Sequence, residues 1–414
     1  MTNAFTLVFI GALAVATATR LWLAQRQIRH VRAHRDAVPG TFSDTIPLAA
    51  HQKAADYTVA KARFQMVEIV FDALILLILT LGGLLQWLAN RWEVGFPLQS
   101  IWHGTALIVT VFALNAAIGL PATLYRIFGI EERFGFNKMT LKLFVVDVLK
   151  GILLAAVLGI PLLVAVLWLM GAAGTYWWLY VWAVLVGFSL FMQLIISTFI
   201  MPWFNKFSPL QDPVLVERVE RLLARCGFRS RGLFVMDGSK RSAHGNAFFA
   251  GVGASKRIVL FDTLVQRLNP AEVEAVLAHE LGHYKLNHIK KSLAFSFALT
   301  LMSLFILGLL VGQPWFYEGL GVQSKTLPIA LLLFILVSPA FGFFLHPLGT
   351  LLSRKHEFEA DAYATRHSEV GDLVHALVKM YRDNAATLTP DPLHSAFYDS
   401  HPPAAMRISR LRTT

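Results

Sequence analysis

A single cysteine, Cys226, is all the chain contains. That excludes a disulfide framework and a zinc site built from cysteines, and it leaves Cys226 to be read as a small buried hydrophobe. Charge is scarce as well. Asp, Glu, Lys and Arg make up 15% of the 414 residues, well short of the quarter or so usual in soluble proteins, so the composition argues against the two or three soluble domains that the length would allow. Neither an internal repeat nor a low-complexity tract is present. The formal net charge is +11, yet no compact basic patch with interleaved aromatics goes with it, and nucleic acid is not an expected partner.

What fills the chain is apolar. Hydrophobic residues reach 56%. They run in stretches near or above the ~18–20 residues that span a bilayer, at 4–24, 66–89, 100–120, 152–171, 176–200, 292–312 and 326–347. The first is expected to be an anchor rather than a signal peptide, because "MTNAFT" has no basic n-region and the arginines follow the apolar run. Lys and Arg crowd the connection between the first two runs, the one between the third and fourth, the segment 201–291 and the tail. The alternate connections hold little beyond Arg91 and Lys325. By the positive-inside rule the N-terminus is then outside, with the C-terminus and both long polar segments cytoplasmic. The expected parts are a five-span membrane region at 1–201, a polar segment at 202–291, two further spans at 292–347 and a C-terminal segment at 348–414.

Within the polar segment, "DPVLVERVERLLARCGF" has apolar residues at helical spacing, whereas "GLFVMD", "NAFFAG" and "RIVLFD" are β-prone. "VGASK" is expected to turn the second of these into the third as a hairpin. "NPAEVEAVLAHELGHYKLNH" follows as a helix with Asn269 as N-cap and Pro270 at its first position. His279 and His283, four apart, lie about 40° apart around that helix and one turn along it. Both imidazoles can therefore hold one zinc ion at ~2.0–2.1 Å. Glu280 stands where its carboxylate reaches a water on that ion, which is the H-E-x-x-H logic of a metalloprotease. Among fourteen histidines an accidental match arises roughly one or two times in a hundred. A purely structural zinc site would favour cysteines and close all four positions.

A catalytic site needs a third protein ligand. His288 lies about 140° around the helix from His283 and is expected to face away. Ile289 and Leu286 stand where an extended motif would have histidine and glycine. In "HEFEAD", Glu357 and Asp361 share a helix face, while Glu359 points elsewhere and His356 is off that face. Spacing leaves two readings open. Either Glu357 ligates zinc and Asp361 orients a ligating histidine, or the pair is a solvated helix face.

Beyond these residues the chain resembles the membrane zinc metallopeptidases of the CAAX prenyl protease 1 type, over nearly its full length. The resemblance rests on "LPATLYRIFGIEERFGFNKMT", "MPWFNKFSPL", "GSKRSAHGNAFFAGVGASKRIVLFDTLV", "HELGHYKLNH", "SRKHEFEADAYA" and "SHPPAAMRISRL", in that order. It implies that His279, His283 and Glu357 hold Zn2+ and that Glu280 is the general base. It implies that His401 and Arg407 face the active site, where they are candidate oxyanion donors, and that substrate binds around His244, Asn246 and Ala247. It also implies an α-helical multi-pass fold in which seven transmembrane helices enclose a water-filled chamber, with a small α+β zinc metallopeptidase domain on the cytoplasmic side. Asp147 and Lys290, bracketing spans, are candidates for the border of that chamber.

The expected function is a zinc endopeptidase cutting near the C-terminus of prenylated or similar membrane-associated peptides and proteins, with membrane lipid as a further partner. The membrane would be the cell inner membrane in a bacterium and the endoplasmic reticulum in a eukaryote. Two alternatives are a zinc protease for membrane-protein quality control and a non-catalytic lipid-handling scaffold, against which the intact Glu280 argues.

Overall fold

The computed structural model of the protein describes residues 3–250 and 257–413. Its first half is helical. α1 (Ala4–Ala33) is capped by the Asn3 side chain and packs along α2 (Leu48–Leu79). Gly83, with a φ of 77°, turns the chain into α3 (Leu84–Glu93) at 48° to α2. α4 (Ile101–Leu124) continues as a π-helical stretch to Glu131. α5 (Leu141–Leu154) runs through another such stretch into α6 (Ile160–Ala172), and α7 (Trp177–Ile195) runs likewise into α8 (Met201–Phe204).

Among the described residues, six helical rods are long and apolar enough to cross a membrane: Ala4–Ala33, Ile101–Glu131, Leu141–Ala172, Gly174–Phe204, His288–Leu310 and Leu327–Ala364. The bent α2–α3 pair makes a seventh if it is one span. The seven apolar runs of the sequence fall on these rods and on the bent pair. Large apolar side chains such as Val67, Leu149, Phe199 and Leu309 point outward from them, as an apolar solvent permits. Phe9, Leu107, Ile108, Val181, Leu307 and Leu332 pack the interior between them.

The chain then builds β1 (Phe207–Pro209), α9 (Pro213–Arg225), β2 (Leu233–Met236), β3 (Ala247–Ala250) and β4 (Arg257–Phe261). The strands form one sheet in the order β1-β2-β4-β3, with β2 and β4 parallel and the other two pairs antiparallel. The expected hairpin is therefore present as β3–β4, with Phe248 opposite Val259; its "VGASK" turn lies outside the described residues. β3 has β4 on one side only, so it is an edge strand.

α10 (Asp262–Arg267) leads to α11 (Pro270–Lys285). α11 starts on a capping box in which Asn269 Oδ1 accepts the Glu272 N–H and Glu272 Oε2 accepts the Asn269 N–H, each at 2.9 Å. A cap of this kind stabilises a helix by about 1 kcal/mol. At Asn287 the backbone turns left-handed, φ 58°, and α12 (His288–Leu310) begins as the next span. α13 (Pro314–Gly319) returns the chain to α14 (Leu327–Gly342), which passes through one tight turn into α15 (His346–Ala364). α16 (Val370–Asp383), α17 (Pro392–Tyr398) and α18 (Ala404–Thr413) finish the fold. α11 packs among α9, α15 and α16 and under β3, in a core that includes Leu215, Val219, Leu277, Leu281 and the lone Cys226. Two spans thus run directly into the two helices, α11 and α15, that carry the candidate ligands.

Candidate active site

α11 and α15 can approach closely because Gly282 faces Ala360. A Cβ on Gly282 would lie 2.9 Å from the Ala360 Cα, closer than two carbons can pack. Across this contact three ligand atoms converge. His279 Nε2 and His283 Nε2 are 3.2 Å apart. Glu357 places Oε2 3.5 Å from the first and Oε1 3.2 Å from the second. Ligands at ~2.0–2.1 Å in a tetrahedron stand about 3.3–3.4 Å from one another, so the triangle has the size a tetrahedral ion needs. Among the described residues these three are the group able to hold a metal ion. Glu357 is buried, and its Oε2 receives no properly directed hydrogen bond. It nevertheless lies 2.7 Å from His401 Nδ1 and 3.3 Å from Arg407 Nη1. A cation would satisfy that oxygen. The solvated-face reading of Glu357 and Asp361 does not survive, because both are buried.

Each histidine is held from behind. Asp361 Oδ1 is 2.9 Å from His279 Nδ1, so Nδ1–H donates to it and Nε2 is directed into the ligand triangle. Arg407 holds Asp361 in turn, with Nε donating to Oδ2 at 2.9 Å and Nη2 to Oδ1 at 2.5 Å. Burial pulls the His279 pKa down, but the bonds to Asp361 and Glu357 outweigh it and push it up to about 9.

His283 has a different support, one that helical spacing misses. His288 Nδ1 lies 3.1 Å from His283 Nδ1, and His288 Nε2 lies 2.9 Å from Glu359 Oε2. His288 therefore does not face away. α11 ends at Lys285, and the left-handed Asn287 swings the next residue back. Glu359 points at His288, and the His356 ring stacks on it with centroids 4.2 Å apart. Glu359 accepts the Nε2–H, His288 Nδ1 accepts from His283 Nδ1–H, and His283 Nε2 is left facing the ligand triangle. The signal in the sequence was Asn287, since asparagine is among the few non-glycine residues that adopt the left-handed conformation readily.

Glu280 is half-buried and makes no hydrogen bond or ion pair among the described residues. Burial raises its pKa, with the neighbouring His279 and His283 opposing. It borders a cavity of about 470 Å³ with Phe248, Phe249, Ile289 and Leu293. A second cavity of about 550 Å³ lies beside His401, Tyr381 and Arg407. His401 is exposed to it, whereas Arg407 is buried.

The hairpin residues have partners of their own. His244 stacks on Phe136, ring centroids 4.6 Å apart, with Nε2 3.6 Å from Glu131 Oε2. Asn246 Oδ1 accepts the Ala247 N–H at 2.8 Å, and Ala247 is buried and pairs with Leu260. Asp147 is paired with Arg241 at 2.8 Å, which ties α5 to the loop before β3.

The chain is similar to known proteins over nearly its whole length. The family described as CAAX prenyl protease N-terminal, five membrane helices, matches residues 27–206, and peptidase family M48 matches residues 209–414. The CAAX prenyl protease 1 homolog of Arabidopsis thaliana is 34% identical over 96% of this chain and 95% of its own length. CAAX prenyl protease 1 of Saccharomyces cerevisiae is 33% identical over 90% of this chain and 88% of its own. The human CAAX prenyl protease 1 homolog is 30% identical over 98% and 95%. The crystal structure of S. mikatae Ste24p superimposes with a TM-score of 0.92 at 30% identity, covering 99% of this chain and all of that one.

Proposed function

Since the chain belongs to peptidase family M48 and is a multi-pass integral membrane protein, we propose that it is a zinc-dependent endopeptidase that cuts near the C-terminus of prenylated, CAAX-type or similar membrane-tethered substrates. One observation carries the chemistry: a triangle of His279, His283 and Glu357 donors sized for a tetrahedral ion, with an unpartnered glutamate next to the first ligand. Two imidazoles and one carboxylate suit zinc and leave a position open. Zinc held there by His279, His283 and Glu357 would lower the pKa of water towards ~7 and polarise the scissile carbonyl.

The chain's own residues do the rest. Glu280 takes a proton from the attacking water as its oxygen bonds to the carbonyl carbon. When the C–N bond breaks, Glu280 gives that proton to the departing amine. His401, exposed beside the site, donates to the developing oxyanion. Arg407 is committed to Asp361 and Glu357, so it acts by positioning ligands. An extended peptide adds to the free edge of β3. The side chains of His244 and Asn246 are already engaged, as are the N–H groups of His244, Gly245 and Ala247, so peptide pairing falls to the β3 main chain beyond them. The basic connections support a site on the cytoplasmic side, in which the polar segments 202–291 and 348–414 form the peptidase and the spans its frame. The apolar cavity beside Glu280, bordered by Ile289 and Leu293 of a span, suits a lipid attached to the residue before the cut.

Detergent-purified protein incubated with a farnesylated CAAX peptide and its unprenylated twin tests this reading. Prenyl-dependent cleavage that falls roughly 10²–10⁴-fold in Glu280→Gln, with zinc retained, is expected. Equal cutting of both peptides would assign the enzyme to broader membrane proteolysis instead.

A further inference from the structure

A protease that cuts close to a chain end must place that end, and a chain end is a carboxylate. The cavity beside His401 holds two cations, Lys61 and Arg407. Arg407 is buried and its guanidinium is taken by Asp361 and Glu357. Lys61 is different. It projects from α2 into the cavity, its ammonium 3.9 Å above the Tyr57 ring. Among the described residues no carboxylate lies within ion-pair distance of it. The acid that acts on it through space is Glu131, whose own oxygens are engaged by Tyr57 Oη and approached by His244 Nε2. Lys61 precedes the apolar run at 66–89 and its side chain is exposed, so its ammonium stays solvated and free to pair with an incoming anion. Here it faces a cavity that adjoins the metal ligands.

Strand direction agrees with this placement. The apolar cavity beside Glu280 is bordered by Phe248 and Phe249, in the later half of β3. The Lys61 cavity is bordered by Asn384, which accepts the Gly245 N–H at 3.2 Å, just before β3 begins. A peptide lying antiparallel to β3 therefore runs from the apolar cavity, past the ligand triangle, into the Lys61 cavity. A lipid on the residue before the cut and a free carboxylate after it meet matching walls in that one orientation. The volume of about 550 Å³ falls in the ~300–1,000 Å³ range of pockets that enclose a drug-sized ligand, which is the size of a tripeptide. One acid, Asp399, also lines the cavity; it repels a chain end, and Lys61 determines the wall against which that end settles.

We propose that Lys61 binds the terminal carboxylate of the substrate and that this cavity is the subsite for the residues released by the cut. The inference rests on the peptidase reading above. Lys61 is a specificity-determining residue that pairs with the chain end by a charge-assisted hydrogen bond.

The test compares a farnesylated CAAX peptide with the same peptide ending in a carboxamide, using full-length protein in detergent, as wild type, Lys61→Gln and Lys61→Arg. Zinc content and melting temperature verify that each variant is folded. Wild type is expected to prefer the free acid by roughly 10–100-fold in kcat/KM, chiefly through KM, the range a hydrogen bond to a charged group supplies. In Lys61→Gln the acid-to-amide ratio should fall to about one, while Lys61→Arg keeps most of it. Equal cutting of acid and amide by wild type, or an undiminished ratio in Lys61→Gln, overturns the proposal, and the wild-type comparison decides even if Lys61→Gln does not fold. An unprenylated pair run alongside separates the two ideas. If prenylation makes no difference, the lipid reading fails while the acid-to-amide ratio still judges Lys61. If zinc-loaded wild type cuts no peptide, both fall.

Discussion

His283 and His288 are joined by a contact that depends on one backbone angle. With φ at 58°, Asn287 ends α11 and turns His288 toward His283, and Glu359 completes the relay. Such partners fix the tautomer and direction of a ligating imidazole, and losing one commonly weakens metal affinity about 10–100-fold. Glu359→Gln is therefore expected to weaken zinc binding by about that factor in a competition titration against a chelating dye. Unchanged affinity would reduce Glu359 to a surface partner of Lys291 and Lys355. His279 gives a pH dependence of two opposite signs. Its pKa stands near 9 in the metal-free fold, against an ordinary value of 6.5. The imidazolium must shed its proton before it can ligate, so zinc affinity should climb about tenfold per pH unit up to about pH 9. The raised pKa stabilises the metal-free fold fully below 6.5, and that contribution is lost as pH rises through about 9. Melting of metal-stripped protein across this window is expected to show the loss while dye competition shows the gain.

At the scale of elements, the site depends on how closely α15 lies on α11. Gly282 provides that approach. Gly282→Ala must push Ala360 away, and with it the Glu357 and Asp361 of the same helix. Overpacking of this kind costs about 1–3 kcal/mol, and here zinc occupancy should fall with it. Gly349, on the same α15, has nothing within 4 Å of its would-be Cβ. Gly349→Ala should therefore be neutral or stabilising by up to about 1 kcal/mol. Thermal melting and metal content of the two variants, measured side by side, separate a specific helix contact from a general intolerance of change. The continuity of α11 with α12, and of α14 with α15, means that a shift of either span moves a ligand.

For the whole molecule, long-range ties matter more than any one helix. Asp147 of α5 grips Arg241 before β3, and Arg26 of α1 grips Asp391 before α17 at 2.9 Å. Membrane rods and sheet are thereby held in one arrangement around two cavities of contrasting character. Much of this was legible in the sequence because it is local. Apolar runs are a property of consecutive residues, so the spans could be read without a structure. The pairing of His279 with His283, the Glu280 beside them and the capped start of α11 follow from the pitch of one helix and its first turn. The third ligand was not decided that way: spacing on α15 left Glu357 and Asp361 equally suited to solvent. Helical spacing turns His288 away from His283, and the left-handed Asn287 between them brings it back. Lys61 carried no signal at all, since a lysine more than two hundred residues before His279 comes to line the cavity beside His401 only when α2 lies against the tail. The sequence alone determined the membrane class and the two-histidine half of the candidate metal site, because both are set by short-range periodicity. Tertiary structure brought in the third candidate ligand, the supports behind the histidines and the cation in the cavity, because each depends on where separate helices cross.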